Sequence, residues 1–173
     1  MMGRALLIVG GVATIGLVLT GVAGYLFSME QGGIGTHLTL ALASSLLLLF
    51  SHCWIMFYLI GTGKAIKEAV AEHGLEAALI EKTKEFKNRS YPSLMLAMGL
   101  VMAVFVLGGG VYTRHVPPWV HHGLFYLALV AQVRSLWIEQ SVLAENDALM
   151  ASIDRRLAAR ERVGDRAGVD SEV

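Results

Sequence analysis

The chain has 173 residues with 14 basic and 14 acidic side chains, so its formal charge is zero. That balance argues against a basic nucleic-acid-binding surface. Only 16% of residues are charged and 55% are hydrophobic, well below the ~25% charge typical of soluble domains, and a single cysteine excludes an intramolecular disulfide and any cysteine-built zinc or iron–sulfur site.

Four apolar stretches separate the charged blocks: 5–27, 38–60, 94–111 and 119–138. Each is long enough to cross ~30 Å of hydrocarbon at ~1.5 Å per helical residue. In lipid the backbone must satisfy its own hydrogen bonds, so each reads as a helix. The predicted fold is an all-α membrane protein. It is a four-transmembrane-helix bundle, one domain over residues 1–163, with helical extensions on the cytoplasmic side.

The first stretch follows Arg4 and ends in small residues around Gly21–Gly24, which a signal peptidase would tolerate. Its apolar run exceeds the ~7–15 residues of a signal core, which favours a retained span. Gly11, Gly16 and Gly21 give it smooth patches for close helix packing.

Between the second and third stretches lie Lys64, Lys67, Lys82, Lys84, Lys87 and Arg89, and the C-terminal part holds Arg155, Arg156, Arg160, Arg162 and Arg166. The other two connections carry Arg114 alone. Positive-inside bias predicts both termini and the middle connection in the cytoplasm, here that of a bacterial-type cell. Residues 64–87 are rich in helix formers, with Gly74 expected to break them into two helices and Asn88, Ser90 and Pro92 to mark the return to the membrane. Ile66, Val70, Leu75, Leu79, Ile80 and Phe86 form an apolar stripe suited to packing under the bundle or onto a partner subunit. The fourth helix is expected to run on through residues 139–162, with Leu143, Leu149, Met150, Ile153 and Leu157 on one face. Residues 164–173 read as a flexible tail.

Histidines are the one chemically suggestive pattern. His37 and His52 are fifteen residues apart and fall about 60° apart around a helix at ~100° per residue. In the fourth stretch His121, Ala128, Gln132, Ser135 and Glu139 share a face, which predicts His121 inward and His122 outward. A facing His37–His121 pair can ligate b-type haem, or copper or zinc with His115 nearby. His52 lies level with Gln132 and Ser135 and has no histidine opposite, against a two-haem core. It reads as a second cofactor ligand, a proton-relay element, or a hydrogen-bond partner of Gln132 or Ser135. Arg134 is placed to snorkel to the inner surface and contact a headgroup or quinone. Every Asp and Glu lies outside the stretches or at their ends, which argues against a proton- or cation-coupled transporter.

The resulting expectation is an accessory or scaffold subunit of a larger membrane complex, without catalysis of its own. It would contact lipid, and through its cytoplasmic helices other membrane subunits or a second copy. The alternative is a haem- or metal-binding electron-transfer subunit using His37, His121 and His52.

Overall fold

The computed structural model describes residues 2–170. They form four helices and no strand: α1 (Met2–Ser28), α2 (Ile34–His73), α3 (Ala78–Tyr112) and α4 (Pro118–Asp170). Helices α1, α2 and α3 are long and apolar enough to cross a membrane. The fourth expected span, 119–138, is not among these, because His121, His122, Gln132 and Arg134 interrupt its apolar run.

The α4 extension continues its helix as expected, whereas the helices expected within residues 64–87 are not set apart from the second and third stretches but continue α2 and α3 without interruption. α2 runs through residue 60 to His73 and stops at Gly74, whose φ of 60° is left-handed and is met cheaply only without a Cβ. α3 begins at Ala78 and passes straight through Pro92, so the expected break at 88–92 is absent. Its backbone there is supplemented by the Ser90 hydroxyl, which donates to the Phe86 carbonyl at 2.7 Å. α4 continues to Asp170 across the start of the segment read as a tail, and residues 171–173 lie outside the described residues.

Short turns make the helices alternate in direction, so α2 and α4 run parallel. We call the end with turns 29–33 and 113–117 upper, and the end with turn 74–77 lower. Each helix packs on its chain neighbours and α1 closes the square against α4. Across the diagonals, α2 and α4 meet while α1 and α3 do not.

Two apolar cores fill the bundle. The upper one gathers Ala13, Leu17, Leu48, Val101 and Ala128. The lower one contains Leu6, Ile55, Leu59, Leu94, Val142 and Leu143, and extends below through Ile66, Leu75, Phe86 and Ile153. The amphipathic stripe of residues 66–86 is therefore spent inside the molecule against α4. Outward faces of all four helices remain apolar, with Ile8, Phe57, Val106 and Val130 each about two-thirds exposed at 66–69%. In water such a surface would drive association; in hydrocarbon it is neutral.

Candidate functional site: a buried polar layer

Between the two cores lies a layer of polar side chains. Ser51, His52, Gln132, Ser135 and Glu139 are all 0–1% exposed. Glu139 falls on the inward face because it sits seven residues after Gln132 and four after Ser135, two helical turns and one. His52 meets that face across the α2–α4 diagonal.

The hydrogen bonds fix each group's role. Thr14 Oγ1 gives its only hydrogen to the Gly10 carbonyl at 2.8 Å, so it accepts from Gln132 Nε2 at 3.1 Å. This orients the amide with its oxygen toward His52. His52 Nε2 lies 2.9 Å from Gln132 Oε1 and must carry a hydrogen, because a carbonyl oxygen only accepts. The other ring nitrogen, Nδ1, is 3.0 Å from Glu139 Oε1, and that oxygen also accepts from Ser135 Oγ at 2.9 Å. The His52–Glu139 contact has the distance of a hydrogen bond without its alignment.

Electrostatics then demands a proton. An isolated carboxylate in a low-dielectric interior costs several kcal/mol. A lone pair on Nδ1 facing a carboxylate oxygen would add repulsion. One proton shared by the pair removes both costs, either as imidazolium with carboxylate or as neutral imidazole with carboxylic acid.

The expected site residues separate accordingly. His52, Gln132 and Ser135 come together here through Glu139. Arg134 is exposed on the opposite side of α4 and takes no part. His37, half-buried, donates from Nδ1 to the Thr20 carbonyl at 3.1 Å and packs on Gly24, where a Cβ would sit 2.8 Å from the ring. His121 is half-buried against Gly108 of α3, while His122 is exposed. One turn deeper, the Phe125 ring fills the face of Gly21.

This packing does not fit a haem centre. His52 has its two nitrogens occupied by Gln132 and Glu139, so neither is offered to iron. At the upper end, rings already sit on the glycines of α1 and α3. His115 lies apart, 3.0 Å from the Thr113 hydroxyl. Among the described residues no three His, Cys, Asp or Glu side chains are gathered to hold a metal ion.

Sequence reasoning missed Glu139, Thr14, Gly10 and Ser51. Glu139 was visible on the right face, but a span ending at residue 138 put it in the headgroup zone. Comparison with protein-family models, with characterised proteins and with solved structures yields no match.

Proposed function

We propose that the chain is a four-span integral membrane protein in which His52 and Glu139 bind and pass on a single proton inside the bilayer. The observation that carries the reading is the 3.0 Å approach of these two fully buried groups, one on each diagonal helix.

Several features support the finer topology. The outward face of α4 is apolar at Val130, Val133 and Trp137, each more than half exposed. Its polar residues Gln132, Ser135 and Glu139 point into the bundle, so the helix presents hydrocarbon to lipid despite its composition. Lysines and arginines crowd the lower end, with Arg114 alone among the upper turns. Positive-inside bias puts the lower end and both termini in the cytoplasm.

The proton-binding layer lies between two apolar cores, so it exchanges with water only when the bundle opens. A protein of this size with a gated proton site is suited to serve as a subunit of a larger membrane assembly. The scaffold role expected from sequence survives as the competing outcome, in which the layer merely locks α2 to α4.

Infrared spectra of the protein in nanodiscs decide between the two. The proton-carrying reading expects a protonated-carboxyl band that vanishes in Glu139→Gln and moves in His52→Gln, because the two groups share the proton. A carboxyl band that is missing from the wild type, or unmoved in His52→Gln, would leave the scaffold role alone.

A further inference from the structure

Resting on the four-span reading above, we infer that the outward face of α4 around Arg134 docks a transmembrane helix of a different protein, one that carries an Asp or Glu at the depth of Arg134. Arg134 follows Gln132 by two residues, which turns it about 160° away from the buried layer. It is exposed among Val130, Val133 and Trp137, whose own exposures of 66%, 53% and 79% describe a surface open to hydrocarbon. It makes no hydrogen bond or ion pair with any described residue.

An arginine on a lipid-facing surface is costly, and such residues either pair with an opposite charge or reach the headgroups. Depth argues against the headgroups. The lower polar belt begins at Ser141, which accepts a hydrogen bond from Arg89 alongside Glu145. Arg134 stands seven residues above it, about 10 Å along the helix axis. The Cα–Cβ bond of a helical residue tilts toward the helix N-terminus. The N-terminus of α4 is its upper end, so the Arg134 stem sets out toward the middle of the bilayer. Reaching the lower phosphates would need the side chain to double back along its own helix. A carboxylate on a neighbouring helix meets the guanidinium where it stands, and the planar fork of arginine holds a carboxylate with two bonds.

The rest of the face suits a helix. Exposed aromatic and arginine side chains are the groups that anchor interfaces, and Trp137 lies one turn below Arg134. Further down the same side, Ala144 and Ala148 are exposed and small enough for a second backbone to approach closely. A second copy of this chain is not the occupant. Among the described residues Glu139 is the only carboxylate between the lower belt and the upper turns, and it is buried against His52. A symmetric pair of copies would set two Arg134 side chains together with nothing to neutralise them.

Photocrosslinking in the membranes of the protein's own cells tests this, with p-benzoylphenylalanine in place of Val130 or, in a second variant, of Trp137. Mass spectrometry of the adducts should identify a transmembrane segment of another protein with an Asp or Glu within a turn or two of the linked residue. Arg134→Gln should cut that adduct at least about tenfold, because truncating one member of a desolvated pair weakens binding by that much or more. Arg134→Glu should abolish it, and a lysine in place of the other protein's carboxylate should restore it. Adducts to lipid alone, to a second copy, or to a protein segment whose yield ignores Arg134→Gln overturn the inference and leave the four-span, proton-binding reading standing. Adducts to neither lipid nor a membrane segment overturn both.

Discussion

His52 and Glu139 join two helices that face each other across the bundle diagonal, and their 3.0 Å contact is made where neither side chain sees solvent. Removing one partner strands the other in hydrocarbon, which costs about 3–5 kcal/mol for a buried pair. Replacing both with apolar residues strands nothing. His52→Leu and Glu139→Leu should each destabilise by about 3 kcal/mol, and the double variant by clearly less than their sum. Unfolding in detergent, followed by circular dichroism, measures this. Strictly additive losses would mean that the two groups do not share a proton.

Glycines on α1 differ sharply in what they face. Gly21 abuts the Phe125 ring, where a Cβ would lie 2.7 Å from Cζ, whereas nothing lies within 4 Å of the same position on Gly11. Gly21→Ala should therefore cost about 1–3 kcal/mol through overpacking, and Phe125→Leu should recover most of it. Gly11→Ala should be neutral or stabilising by up to about 1 kcal/mol, the helix-propensity difference. Thermal midpoints of the three variants give the comparison directly.

Below the spans, the extension is held by its core more than by its charges. Arg89 forks Glu145 with two bonds of 2.9 and 3.0 Å and also reaches Ser141 at 3.1 Å. Donating hydrogen bonds to the Glu145 carboxylate raises the guanidinium pKa further above its ordinary range, so it is charged at every working pH. Both partners are more than a third exposed, at 37% and 46%, and such pairs contribute up to about 1 kcal/mol. Phe86, 4% exposed in the lower core, should cost about 3–5 kcal/mol as Phe86→Ala. Arg89→Ala should lose under about 1 kcal/mol, and less at high salt. Chemical denaturation at two ionic strengths separates the cases.

Helix content and three of the spans were legible because apolar runs of such length admit no other structure in lipid. Phase was legible too: the face carrying Gln132, Ser135 and Glu139 is the buried one. Depth was harder to read. Hydropathy ends the fourth stretch at Ile138, yet Glu139 lies in the core, because a carboxylate opposite a histidine can be neutralised by a shared proton and then needs no water. Composition hides such pairing, since each residue is scored alone. Thr14, Gly10 and Ser51 were unreadable for a related reason. Their roles come from the approach of α1 to α2 and α4, which no single helix encodes. The histidines at the upper end, prominent in sequence, pack instead on glycines of neighbouring helices.

Thr14 sets the direction of the whole layer. By giving its hydrogen to the Gly10 carbonyl it becomes an acceptor, turns the Gln132 oxygen toward His52 and so requires a hydrogen on Nε2. His37 has the opposite requirement, because its Nδ1 faces the Thr20 carbonyl. Nitrogen-15 spectra of histidine-labelled protein should therefore show neutral His52 as the Nε2–H form and neutral His37 as the Nδ1–H form. Thr14→Val removes the acceptor, frees Gln132 to turn its amide and should give His52 a mixture of both forms, with His37 unchanged. A single Nε2–H signal for His52 in Thr14→Val would show that Glu139, rather than the Thr14–Gln132 arm, fixes the ring.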